Sequence, residues 1–270
     1  MAEKIARVAY RFDASPATYD FVTWMAIVER ARLEQGIDKI VIAFVPGTRD
    51  FSDRDKAISA GRHAWRSTEL LPALTTLLPS CMGAVVGDPK TDQQTVPYLV
   101  NPFPFGAYLA GPAYMQDLIP FHKPYVTLTV RQSWFESDRD TTLIWNELIP
   151  QFGLPVVVVP DTEAMMDGIP CRITAGRLYP PAAMNPRLMF ALYKKARLNL
   201  FTGSGCASLA YYSDVNAEVF GIHHPQYKIC EATNLLRCGF VDGGTVQNTR
   251  SHWDANPDTI LAAVKERLSS

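Results

Sequence analysis

The residues in this chain best suited to chemistry are one glycine-rich turn and a few charged side chains, each directly after an apolar run. The turn is Thr202-Gly203-Ser204-Gly205, leading into Cys206. Small residues let a backbone approach a ligand closely. A helix after such a turn offers unpaired N–H groups and the positive end of its dipole. The combination suits a phosphate or diphosphate, although a plain strand-to-helix turn uses the same residues. Arg131 closes the β-branched run Pro124–Val130. Its guanidinium fork matches paired phosphate oxygens and keeps its charge at working pH. Gln132, Ser133 and Arg139 follow it and would assist, while Glu136 or Asp138 would be its partner in a purely structural role.

Asp161 and Thr162 follow the apolar run Leu154–Val159, at the carboxyl end of the strand expected there. Asp13 follows the first such run, and a carboxylate there can take the proton of an acceptor hydroxyl. Helix capping or a surface turn is the plainer use of Asp13. Asp20, one turn into the helix expected next, is the second candidate.

Other chemistries are poorly represented. Gly203-x-Gly205-x-x-Ser208 is close to a dinucleotide fingerprint, but Ser stands where a third Gly or Ala permits tight helix packing, and it comes late in the chain. A nicotinamide or flavin enzyme is therefore disfavoured. No G-x-S-x-G elbow and no Walker A motif occurs. Asp53-Arg54-Asp55 and Asp138-Arg139-Asp140 are the only D-x-D triplets. Such pairs can hold a divalent ion on a sugar diphosphate, yet with Arg between the carboxylates they read as solvated surface turns. Cys81, Cys171, Cys206, Cys230 and Cys238 contain no C-x-x-C pair, which argues against a zinc site and a disulfide framework. His223 and His224 are adjacent and would point to opposite faces of a strand. The expectation is a site without metal or other cofactor.

Composition agrees with a globular enzyme. The chain has 270 residues, 47% of them hydrophobic, and a formal net charge of -1. That length supports one large or two small cores, and the charge gives no general attraction to nucleic acid or an anionic membrane. The densest basic cluster, Lys194-Lys195 with Arg197, reads as a solvated helix face. No window approaches the run of about 20 apolar residues needed to span a bilayer, and no secretory leader is legible. A cytoplasmic protein is expected.

The elements that must position these residues alternate. Residues 4–11 read as a strand. Ser15 and Pro16 would start a helix with Phe21, Trp24, Val28 and Leu33 inward, ended by Gly36, and Asp38–Val45 reads as a second strand. A helix over 61–78, interrupted near Pro72, precedes a strand at Met82–Val86. Residues 88–120 are rich in Pro, Gly and aromatics and read as a packed crossing between two lobes; the 98–115 stretch would serve there or as a dimer surface. A second series follows: strands ending at Val130 and Val159, a helix over 140–149 with Leu143, Ile144 and Leu148 inward, a helix over 186–197, and strands at Leu198–Phe201 and Val219–Ile222. Last comes a helix capped by Asn256 with Ile260, Leu261, Val264 and Leu268 on one face. The pattern implies an α/β protein of two doubly wound lobes, 1–120 and 121–270, the closing helix able to pack back on the first lobe. In open α/β sheets ligands bind beyond the carboxyl ends of the strands, where Asp13, Arg131, Asp161 and the 202–205 turn all fall.

Several stretches resemble the GT-B glycosyltransferases, whose two Rossmann-like lobes face each other across a cleft. Tyr125–Arg131, YVTLTVR, resembles the strand that ends in a diphosphate-binding Arg in fucosyltransferase-like enzymes. Asn199–Ala210, NLFTGSGCASLA, resembles the donor-phosphate loop of heptosyltransferase-like members, and Asp13 falls where those carry a catalytic aspartate. The segment NPDTI is similar to the start of their terminal helix. Two departures stand out: the chain is short for this fold, so both lobes must be trimmed, and Thr129 stands where the fucosyltransferase-like strand usually has His. The resemblance implies metal-independent transfer of a sugar from a nucleotide-diphosphate-sugar to a glycan, lipid-linked or other hydroxyl acceptor, as in polysaccharide biosynthesis. Donor binding would fall to the second lobe through Arg131, Ser133, Arg139, Asp161, Thr162, Thr202, Gly203, Ser204 and Gly205, with Asp13 as base. A nucleotide-sugar epimerase or hydrolase, or a non-catalytic nucleotide-binding module, would use the same lobes.

Overall fold

The computed structural model describes residues 3–47, 58–132, 141–225 and 228–269. The opening βαβ pattern forms as a parallel pair: β1 (Ile5–Arg11) and β2 (Lys39–Val45), connected through α1 (Asp20–Glu34). Ile40, Ile42 and Phe44 alternate onto one face of β2 and are buried with Phe21, Trp24 and Val28 of α1. The start of α1 differs from expectation. Ser15 is buried and accepts from Gln94 Nε2 at 3.1 Å instead of capping. The helix begins at Asp20, whose N–H meets Thr18 Oγ1 at 3.2 Å. Leu33, expected inward, is 56% exposed because it falls on the solvent side of the last turn. Gly36, with φ of +61°, follows the helix and turns the chain into β2.

The helical stretch that follows is α2 (Ala60–Trp65), a π-helical turn (Arg66–Leu70) and α3 (Leu71–Thr75). Pro72 lacks an N–H and crowds the preceding turn, and the irregular turn lies directly before it. β3 (Cys81–Val86) then pairs parallel to β2, giving the order β1-β2-β3.

The second series comprises β4 (Val126–Thr129), α4 (Thr142–Leu148), β5 (Val156–Val159), α5 (Thr162–Met166), β6 (Arg177–Leu178), α6 (Pro180–Met184), α7 (Pro186–Lys195), β7 (Leu198–Thr202), α8 (Ser208–Tyr211), β8 (Ala217–Phe220), α9 (Ala232–Cys238), β9 (Thr245–Val246), β10 (Thr249–Ser251) and α10 (Pro257–Ser269). The sheet order is β6-β5-β4-β7-β8-β10-β9, parallel except at β9. Every residue of β4, β5, β7 and β8 is buried; β5 is apolar throughout, whereas the other three carry the buried polar residues Thr127, Thr129, Asn199, Thr202 and Glu218. In α4 the inward residues are Thr142, Trp145 and Leu148, three apart. Leu143, expected inside, is 66% exposed.

Asn256 caps α10 as expected, accepting from Thr259 N at 2.8 Å. Ile260 and Val264 pack with Trp145 and Phe220, which seats the closing helix against the second sheet. Beside it lies a fully buried carboxylate: Glu218 meets His252 Nε2 at 2.6 Å and Arg250 and Arg267 at 3.0 Å each.

The two sheets are joined by one hydrophobic core. Tyr10, Trp24 and Phe44 of the first series belong to the same buried cluster as Val157, Phe201 and Phe190 of the second. The Pro- and aromatic-rich stretch lies along this seam. Ala110 N–H reaches Leu77 O at 2.9 Å on one side and Tyr108 N–H reaches Tyr212 O at 2.9 Å on the other. Phe105 stacks near Tyr212 and edges against Phe240.

Candidate active site

A cavity of about 540 Å³ opens between the two sheets. Of the residues singled out from sequence, Arg131, Asp161, Thr162, Gly203, Ser204 and Gly205 line it. They come from three adjacent strands, β5, β4 and β7, at their carboxyl ends, as a doubly wound sheet requires. Arg131 Nη1 contacts Gly203 O at 3.4 Å, which sets the guanidinium over the turn. The Ser204 hydroxyl is buried and has no partner among the described residues, and a buried polar group of that kind calls for a ligand or a water. Thr202 does not line the cavity. It is buried as the last residue of β7, and its hydroxyl likewise lacks a partner among the described residues. Ser133, Arg139 and both D-x-D triplets lie outside the described residues.

The turn differs from a plain dipole site. It leads into a single 3-10 turn, Gly205–Ala207, and then a helix of only 4 residues. A helix that short carries little macrodipole, so charge stabilisation here falls mainly to Arg131. Gly205 also has a packing role. A Cβ at this position would lie 2.9 Å from Tyr19 Cβ, in the loop that leads into α1. Ser208 Oγ donates to Gly205 O at 2.7 Å and to Tyr19 O at 3.3 Å, so the serine in the fingerprint-like motif ties the two series together. Burial pushes the Cys206 thiol up to about 12, helped by the nearby Asp161 charge.

Asp161 and Thr162 line the cavity while serving the backbone. Asp161 caps α5 by accepting from Glu163 N at 2.8 Å and Ala164 N at 3.0 Å, and its other oxygen accepts from Gln132 N at 3.0 Å. Thr162 Oγ1 donates to Ala183 O at 2.7 Å. Thr129, in the place of the usual His, is buried against Tyr193 OH at 2.6 Å.

Asp13 does not line the cavity. It is paired with Arg11 at 2.7 Å, with its side chain 41% exposed. That hydrogen bond holds its carboxyl below the ordinary carboxylate range, which weakens it as a proton acceptor. Asp20 lines the cavity instead. Because α1 starts four residues later than Ser15-Pro16 implied, Asp20 stands at the first residue of the helix, not one turn in. Thr18 Oγ1 lies 2.8 Å from its carboxylate.

Sequence reasoning missed the cross-cavity ion pairs. Arg62 and Arg66, four apart and so on one helical face, reach from the first series to α5 of the second. Arg66, 4% exposed, pairs with Glu163, and Arg62 pairs with Asp167 and lies 4.0 Å from Glu163. The i, i+4 arginines were legible as a charged face, but their partners lie about 100 residues away and emerge only on folding. Among the described residues no group of three or more His, Cys, Asp or Glu stands together to hold a metal ion, and no helix is long and apolar enough to cross a membrane.

Two parallel-stranded sheets with a cavity at their seam match solved structures along nearly the whole chain. A glycosyl transferase family 9 protein from Veillonella parvula is 9% identical over 98% of this chain and 92% of its own, with a TM-score of 0.50. The fold is GT-B-like. An E. coli heptosyltransferase solved with ADP is 12% identical over 97% of this chain and 99% of its own, with a TM-score of 0.49. The E. coli ADP-heptose heptosyltransferase II is 11% identical over 98% of both chains, with a TM-score of 0.45. No protein-family model and no curated protein matches the sequence. Arg131 and the 203–205 turn, which follow strands of the second sheet, and Asp20, at the start of α1, line one cavity.

Proposed function

We propose that the protein is a metal-independent glycosyltransferase that moves a sugar from a nucleoside-diphosphate-sugar to a hydroxyl acceptor in the cytoplasm. The observation that carries this reading is the convergence of Arg131 and the partnerless Ser204 hydroxyl on the cavity between the lobes. The diphosphate sits against them, and the nucleoside extends toward the β5 side, where Asp161, Thr162 and Glu163 line the wall. The acceptor oxygen attacks the anomeric carbon, the bond from that carbon to the diphosphate oxygen breaks, and the acceptor proton passes to Asp20. Arg131 meets the negative charge that develops on the leaving diphosphate. A single displacement of this kind inverts the anomeric centre. Asp20 replaces Asp13 in this role because it lines the cavity.

The test is a thermal-shift screen of UDP, GDP, dTDP, ADP, CMP and NAD in EDTA and again with magnesium. A ligand at 100 times its Kd stabilises the folded state by about 2.7 kcal/mol. The expected result is a shift with one nucleoside diphosphate in EDTA that Arg131→Ala abolishes at unchanged unliganded Tm. A shift that requires magnesium refutes metal independence, and a shift with NAD alone refutes the transferase.

A further inference from the structure

The cavity changes character across the second sheet. Its charged lining residues are Asp20, Arg62, Arg66, Arg131, Asp161 and Glu163, all from the first series or from β4 and β5. Beyond β7, on the β8 side, the described lining carries no charge. Phe103, Tyr211, Ile222, Leu235 and Phe240 form this wall. Phe103 and Tyr211 pack edge-on against Phe240 at centroid distances of 5.9 and 5.0 Å. The one hydroxyl among these five, that of Tyr211, is already engaged with Ser251 Oγ at 2.7 Å. The wall lies close to Asp20: Tyr211 belongs to α8, and Ser208 in the same helix bonds the Tyr19 carbonyl directly before Asp20.

We infer that the acceptor presents its hydroxyl to Asp20 on an apolar body, aliphatic or aromatic, seated against the Phe103–Phe240 wall. This rests on the transferase reading above and narrows its acceptor. A glycan chain on this wall would lose water from many hydroxyls and find no free hydroxyl, amide or charged partner among these five residues, and an anionic headgroup would find no cation in the described lining there. An apolar body gains by leaving water and needs no partner. The nucleoside is left to the β5 side, whose polar groups suit ribose hydroxyls.

The test uses 2-naphthol, a hydroxyl on an aromatic body, titrated into the full chain by fluorescence. Saturable one-site binding is expected, undiminished by the nucleoside diphosphate of the thermal screen and by maltotriose. Cys238→Asp places a charge at a half-exposed position in the cavity lining. It should weaken 2-naphthol at least tenfold at unchanged Tm and leave the nucleotide shift intact. Leu235→Asn, checked for the same Tm, should do likewise. Displacement of 2-naphthol by uridine or adenosine would give the wall to the nucleobase and overturn the inference. So would equal binding in both variants, or no binding at all. Absence of 2-naphthol binding with an intact nucleotide shift overturns the acceptor class alone. Binding of 2-naphthol with no nucleotide shift overturns the transferase reading itself.

Discussion

Gly205→Ala tests the idea that the phosphate turn and the lobe seam are one structure. The new Cβ would sit 2.9 Å from Tyr19 Cβ. Carbon atoms make favourable contact at about 3.5–4.0 Å, so one side must yield by roughly 0.6–1 Å. A side-chain rotation cannot supply this, because Tyr19 Cβ is fixed to the backbone at the residue before α1. The displacement must shift the start of α1, and Asp20 with it, or the turn that carries Ser204. Overpacking of this kind costs about 1–3 kcal/mol, and each kcal/mol lowers Tm by roughly 2–4 °C in a chain of this size. The assay is Tm by calorimetry together with the nucleotide-induced shift. Both should fall in Gly205→Ala. Gly61→Ala is the control: its Cβ meets nothing within 4 Å and lies in α2, so Tm should hold or rise. A Gly205→Ala protein with the parent Tm and an undiminished nucleotide shift would refute the packing argument.

Asp20→Asn should cut turnover of the donor identified by the nucleotide screen by about 10²–10⁴-fold, the usual worth of a general base. Asp13→Asn should leave most of it, since Asp13 is tied to Arg11 away from the cavity; the opposite ranking in steady-state kinetics would restore Asp13. Glu218→Gln removes the carboxylate that Arg250 and Arg267 share, while Arg250 keeps its second partner Glu266 at 3.0 Å, and urea unfolding should show a loss of about 1–3 kcal/mol. A loss below 1 kcal/mol would mean the cluster is solvated. The Arg7 guanidinium beside Asp92 lowers that carboxyl from 3.8 to about 2. Asp92 therefore contributes stability above pH about 3.8 that disappears as pH falls through about 2. The stability gap between the parent and Arg7→Ala should narrow across that window in acid urea titrations, and a constant gap would contradict the assignment.

The parts legible in the sequence are those governed by short-range chemistry. Periodicity and run length located most strands to within one or two residues, because a strand buried on both faces is mainly apolar, with exceptions such as Asn199 and Glu218 held by buried partners, and crossover helices alternate with the strands. Asn256 and Gly36 announced their ends of helices through capping and left-handed geometry. The glycine turn and Arg131 were legible because ligand-binding residues in such sheets follow the strands. The tertiary structure decided which carboxylate faces the cavity. Both Asp13 and Asp20 lie in one connection, and the choice depends on where α1 begins, which Thr18 sets through a local bond that competes with the stronger-looking Ser15-Pro16 start. It also decided the pairing of Arg66 with Glu163, the contact of Gly205 with Tyr19 and the apolar wall on the β8 side. These join residues from separate elements, and no local pattern encodes a contact whose two halves meet only when the sheets pack.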